Sequence, residues 1–143
     1  MGKYFLISAL FLGTLWNLNA SALETTESSV LHLYANFDMQ MRYEVLALEN
    51  NTIVRGELKN VHYAQMEDIE VWITAIDSDG VSLTRTVDFI NPRSLAMDEP
   101  AEFTVTLSLL KPGTKLKIMY RYLGADSPGE VIRDYQTFFT EVP

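Results

Sequence analysis

The chain has no cysteine among its 143 residues. That excludes disulfides, thiol nucleophiles, zinc–thiolate sites and thiolate-held iron–sulfur clusters. The core must hold by burial alone, and a chain of this length can bury enough to do so. Imidazole is scarce, with His32 and His62 the two histidines. Neither stands at a spacing from Ser or Asp that argues for a triad, although triads need no sequence adjacency. Surface or structural roles therefore weigh more for both. Positive charge is also short. Eleven Lys and Arg face 19 Asp and Glu, a net charge of −8. General electrostatic attraction to nucleic acid or to an anionic membrane is disfavoured by that balance. Long apolar runs are nearly missing too, and no run reaches the roughly 20 residues of a spanning helix.

The longest apolar run covers residues 5–18, 14 residues following the single charge of Lys3. Ala20-Ser21-Ala22 then places small residues where a signal peptidase cuts. Residues 1–22 are expected to be a cleaved signal peptide, with a retained anchor as the alternative. Gly2 is no myristoylation site, because Leu6 replaces the required Ser or Thr. Cleavage removes one of the 11 basic residues and none of the 19 acidic ones, taking the charge from −8 to −9. Such a chain is expected outside the cytoplasm, periplasmic or extracellular, with no stable membrane insertion after cleavage.

Past residue 41 the side chains alternate with a period of two, and no apolar face recurs at helical spacing over three turns. In residues 69–76, Ile69, Val71, Ile73 and Ala75 share one face. Asp77-Ser78-Asp79-Gly80 reads as the turn after it, with Asp79-Gly80 able to supply positive φ. The next run alternates Val81, Leu83, Val87 and Phe89 against Ser82, Thr84, Thr86 and Asp88. The two runs are expected to pair as a hairpin with matched apolar faces. Two strands do not stand alone in water, so the rest of the chain must cover them.

The remaining strands are expected near 43–48, 53–58, 101–107, 116–122 and 131–140. Gly56 inside one of them marks a bulge or the close approach of a neighbour. Residues 59–68 look polar and loop-like. Pro92 and Pro100 mark residues 91–100 as a crossover rather than a strand. Residues 23–29 read as a solvated leader. Residues 30–41 fit either a first edge strand or a turn of helix over a sheet edge. The sum is an all-β, Ig-like two-sheet β-sandwich of about seven antiparallel strands over residues 42–143, preceded by a leader or first edge segment at 23–41.

One stretch carries a resemblance. Gly56 and Asn60 precede an alternating strand that ends in Asp77 and the turn at Gly80. Pro92 and Leu95 follow in the crossover, then Glu99, Pro100, Ala101, Phe103 and Val105 open the next strand. This pattern resembles the FxLYD-type Ig-like module of bacterial exported proteins, over about residues 50–110. Ala75-Ile76-Asp77 stands where that family has Leu-Tyr-Asp, and Asp98 stands at its crossover Gly. The resemblance implies an exported accessory domain without catalytic residues or cofactor.

Four groups could carry chemistry. Asp77 and Asp79 offer oxygens at alternate positions, as a calcium loop does. An EF-hand loop would add a later ligand and a Glu six residues beyond the Gly. Thr86 stands there instead, so turn chemistry outweighs a metal site. Glu67/Asp68 and Asp98/Glu99 could do acid–base work, but they look like a solvated rim. Asn50-Asn51-Thr52 is a glycosylation sequon of consequence only in a glycosylating host. Trp72 and Ile76 share the face opposite Val71, Ile73 and Ala75. An outward Trp and aliphatic pair is a candidate interaction patch. It would be lost if residues 31–37 folded over that face. The expected function is a non-catalytic binding or accessory module acting through a sheet face or an edge strand. Its partner would be another envelope or secreted protein. A structural subunit of an envelope or surface assembly is the alternative, and a hydrolase the more remote one.

Overall fold

The structure, a computed structural model, describes residues 29–143. The expected signal segment at 1–22 and the leader up to residue 28 lie outside them. Nine strands run in order: β1 Leu31–Ala35, β2 Met39–Ala47, β3 Asn51–Asn60, β4 Gln65–Ile76, β5 Ser82–Phe89, β6 Ser94–Ala96, β7 Pro100–Ser108, β8 Lys115–Ser127 and β9 Glu130–Glu141. The first sheet has the order β1-β2-β3-β7. The second has the order β5-β4-β8-β9, with β6 pairing the start of β4. Every pairing is antiparallel. The two-sheet antiparallel β-sandwich expected from the alternation is the architecture observed.

Period-two alternation decides which side chains meet between the sheets. Met41, Tyr43 and Val45 of β2, Val54 and Leu58 of β3, and Phe103, Val105 and Leu107 of β7 form one inner surface. Ile69, Val71, Ile73 and Ala75 of β4 and Leu116, Ile118, Tyr120 and Tyr122 of β8 form the other. Together they make one core cluster. Each large side chain removed from water there contributes about 1.5–3 kcal/mol before entropy is counted.

Five sequence expectations change. Nine strands replace about seven, and both extra ones are short. The 30–41 segment holds β1 and the start of β2, so the sandwich begins before residue 42. The proline-bounded crossover holds β6, because Pro92 and Pro100 flank this three-residue strand without occupying its ladder. Its Leu95 is fully buried. Residues 59–68 are mostly strand: β3 runs to Asn60 and β4 starts at Gln65. The short loop between them is organised by buried Asn60. Its Nδ2 donates to the carbonyls of Tyr63 and Leu95, and its Oδ1 accepts from the N–H groups of His62 and Tyr63.

The fifth change is in the β4–β5 hairpin. Of the turn residues, Gly80 alone has positive φ, at 82°. Asp77 Oδ1 accepts from the N–H groups of Asp79 and Val81, closing a wider turn. A bulge follows, with Ala75 opposite Thr84 but Ile76 opposite Ser82, so Leu83 is the extra residue. A one-residue slip reverses every side chain beyond it. Thr84, Thr86 and Asp88 therefore share the inward face with Ala75, Ile73 and Val71, while Val87 and Phe89 face outward. The inward face of this edge strand meets β7 rather than the apolar core. There Asp88 Oδ2 accepts the Thr104 N–H at 2.8 Å, joining the two sheets along one edge. Along the other edge, Tyr34 of β1 stacks on Phe138 of β9 at 3.9 Å.

Two glycines are fixed by close approach. A Cβ on Gly56 would lie 2.1 Å from the Arg42 carbonyl oxygen and 2.7 Å from Tyr43 Cα. A Cβ on Gly124 would lie 2.8 Å from the Tyr63 ring. Asp98 has a positive φ, 66°. Fully buried Asp38 sits between the sheets and accepts from the Tyr120 hydroxyl at 2.8 Å and the Tyr122 hydroxyl at 2.5 Å.

Candidate functional site: the outer face of the second sheet

Cross-strand register lays the outward side chains of β5, β4, β8 and β9 into rows across the strands. One row is Ser82–Ile76–Lys115–Glu141 and the next is Arg85–Thr74–Lys117–Phe139. Then come Val87–Trp72–Met119–Thr137 and Phe89–Glu70–Arg121–Tyr135. Neighbours within a row are one strand spacing apart, about 4.8 Å. Trp72 lies inside this grid, half-buried by its neighbours. Ile76 lies two rows away on the same face, also half-buried. The segment at 31–37 does not cover them, because β1 pairs with β2 at the edge of the other sheet.

Trp72 is held from both sides. The Arg85 guanidinium lies over its ring at 4.3 Å and that of Arg121 at 5.7 Å, cation–π contacts from β5 and β8. Its indole N–H donates to Glu70 Oε2 at 2.7 Å. Arg121 closes a two-pronged pair on the same carboxylate, at 2.6 and 2.8 Å. Hydrogen bonds from Arg121, and secondarily from Trp72, hold the Glu70 carboxyl below the usual carboxylate range. Arg121 is thus neutralised, whereas Arg85 has no carboxylate partner among the described residues.

The contrast runs across the whole molecule. Ten Lys and Arg fall among the described residues, and Arg42, Arg55, Lys59, Arg93 and Arg121 sit in ion pairs. The other five are Arg85, Lys111, Lys115, Lys117 and Arg133. All five lie on the outward side of β5, β8 and β9 or in the loop leading into β8. A groove of about 290 Å³ opens between β5 and β8 over β4. Trp72, Ile76 and Met119 give it apolar walls, and Thr74 and Ser82 supply hydroxyls. Arg85 and Lys117 are its charged groups, and no carboxylate lines it. A larger cavity of about 790 Å³ at the end of the sandwich mixes Lys111 and Lys115 with Asp77 and Glu141, so its charge is balanced.

The other sequence candidates are placed as follows. Asp77 spends one carboxylate oxygen on the turn, and Asp79 is exposed. Among the described residues no three His, Asp or Glu side chains group as metal ligands would. His32 stacks on Tyr43 at 5.1 Å, and His62 packs edge-on against Phe37 and Tyr63. Asp68 occupies the β4 bulge at φ 50° and pairs with Arg93. Asp98 lies 3.6 Å from the Lys59 ammonium, and Glu99 Oε2 accepts the Ala96 N–H. Asn50 is exposed in the β2–β3 turn. Sequence reasoning named Trp72 and Ile76 on this face and did not name Arg85, Lys117 or Arg121 beside them. Lys117, Met119 and Arg121 were readable from parity, as the positions between Leu116, Ile118, Tyr120 and Tyr122. Arg85 was not, because the bulge reverses its strand.

No family model matches the chain, and no curated protein matches it. Among solved structures it is similar to a β-glucuronidase from glycoside hydrolase family 2, at 13% identity and a TM-score of 0.42. That likeness covers 85% of this chain and 12% of the glucuronidase chain. It is also similar to a protein assigned as ApaA from Bordetella pertussis, at 14% identity and a TM-score of 0.45. There it covers 82% of this chain and 97% of the other. Neither likeness assigns an activity.

Proposed function

We propose that the protein is an exported, non-catalytic binding module. It meets another envelope or secreted protein through the outward side of the β5-β4-β8-β9 sheet, with Trp72 and Ile76 central. The observation that carries this reading is the charge state of that side. Arg121 is paired with Glu70 there, but Arg85, Lys115, Lys117 and Arg133 are in no ion pair among the described residues and Arg85 and Lys117 flank apolar side chains, whereas the opposite side of the sandwich is closed by ion pairs. Phe89, Tyr135 and Phe139 are each more than half exposed around it. Aromatic and Arg side chains are the residue types that dominate binding energy at protein interfaces. The FxLYD resemblance supports the accessory-domain part of the reading, and its missing crossover Gly is no obstacle. Asp98 there takes the backbone conformation that Gly favours.

The test is affinity capture from source extract with three baits: the native chain, Trp72→Ala and Arg42→Gln. The expected result is a partner retained by the native and Arg42→Gln baits and lost with Trp72→Ala, all three baits melting cooperatively. Equal retention by all three refutes the reading.

A structural subunit is the second reading, favoured by one observation. The edge strand β1 leaves Leu31 65% and Leu33 75% exposed, and a free edge accepts another strand. Light scattering separates the two, since polymers support an assembly subunit and a monomer supports the binding module.

A further inference from the structure

The row Arg85–Thr74–Lys117 gives the proposed face a chemical preference. Thr74 is paired to Arg85 on one side and to Lys117 on the other, so two cations straddle one hydroxyl. Their Cα atoms are two strand spacings apart, about 10 Å. Both cations line the same groove. Arg85 is additionally held by stacking on Trp72, which leaves the N–H edge of its guanidinium free for a carboxylate. The groove they border contains no acid of its own. Arg121 cannot serve in the same way, because Glu70 fills its fork.

Resting on the face reading above, we infer that this row binds an extended acidic peptide segment of the partner, with carboxylate side chains two residues apart. Side chains at i and i+2 of an extended chain point the same way about 6.6–6.8 Å apart. Two long cationic side chains that line one groove, with backbones about 10 Å apart, can reach carboxylates at that spacing. The adjoining row of Val87, Trp72 and Met119 offers apolar contact to the residues between and beside the acids. An acidic glycan fits less well. A sugar ring binds by stacking on an open aromatic face, and the Trp72 ring already carries guanidinium groups from two strands.

The experiment is fluorescence anisotropy on the intact protein. One labelled peptide carries Glu at alternate positions, and a matched peptide carries Gln there. The acidic peptide is expected to bind at least about tenfold more tightly than the Gln peptide, and to weaken as salt rises to about 0.3 M. Arg85→Gln with Lys117→Gln should remove that preference, while Arg42→Gln on the other side leaves it intact. The charge-reversed pair Arg85→Glu with Lys117→Glu should instead bind a Lys-bearing peptide, which guards against a trivial loss of folding.

Equal binding of both peptides, lost in Trp72→Ala, refutes the acid preference and leaves the face reading standing. Acidic binding unmoved by the Gln pair places the site elsewhere and refutes the inference. Binding of neither peptide refutes it as well, with the face reading then judged by partner capture. An oligogalacturonate that binds where the acidic peptide does not overturns the choice of a peptide.

Discussion

The two outward sides of this sandwich are made of the same alternating strands, yet they settle their charges differently. On the first sheet the register sets opposite charges directly across from each other. Arg42 faces Glu57 at 2.9 Å, and Glu44 faces Arg55 at 2.6 Å. On the second sheet the register also makes one such pair, Glu70 with Arg121, and sets Lys115 across from Glu141, but it places Arg85 and Lys117 across from Thr74, and Lys117 across from Phe139. Exposed pairs contribute only about 0–1 kcal/mol each, so stability does not explain the difference. What pairing does is cancel a field. The first sheet presents a finished surface, and the second keeps cations and apolar groups available to a partner. Register, which composition does not reveal, decides which side is which.

If that division holds, stability must come from between the sheets and not from either outward side. Gly56→Ala should have the largest effect. Its new methyl would drive against the β2 backbone, which has no flexible end to yield. A loss of more than about 3 kcal/mol is expected, read as a collapse of the melting transition. Next comes the buried phenol–carboxylate cluster. Burial, with hydrogen bonding to Tyr34 and Asp38, raises Tyr120 far above its ordinary value of 10.0, and burial and Asp38 raise Tyr122 likewise. A group whose folded pKa is raised lends stability that is complete below its unfolded value and lost above it. Denaturant midpoints should therefore hold to about pH 10 and fall beyond it. Tyr120→Phe should flatten that fall while lowering stability at neutral pH by about 1–3 kcal/mol.

The smallest effect belongs to the ion pairs. Glu44, Asp68 and Glu70 are each held below their ordinary values by hydrogen bonds from Arg55, Arg93 and Arg121. A depressed carboxyl lends stability above its unfolded value that is lost as pH falls through its folded one. Because these groups are solvated, only a shallow decline below about pH 4.5 is expected. Arg42→Gln, which opens one pair on the first sheet, should change the midpoint by less than about 1 kcal/mol in a urea melt.

How much was legible depended on where each strand lies. β7, β8 and β4 from Ile69 onward read cleanly because one side of each is buried against the core and alternates with period two, whereas the bulge at Asp68 hid the start of β4. β5 misled because it is an edge strand whose inward side meets Asp88-capped β7, where Thr84 and Thr86 serve as well as Val. Its bulge at Leu83 then reversed the expected sides. β1 and β6, five and three residues long, are too short for any period to show. Trp72 and Ile76 followed from parity alone. Arg85 and Lys117 as a flanking pair did not, since they meet only through β4. Asp38 was invisible for a similar reason: its tyrosine partners lie 82 and 84 residues away.

Hydroxyl-radical footprinting of the protein with its captured partner reads the two sides at once. Trp72, Met119 and Phe139 report on the second sheet, and Leu31 and Leu33 on the first. Protection of Trp72, Met119 and Phe139 with Leu31 and Leu33 unchanged is the predicted result. Protection confined to Leu31 and Leu33, with Trp72 oxidised as fast as in the free protein, would contradict the assignment of the working surface.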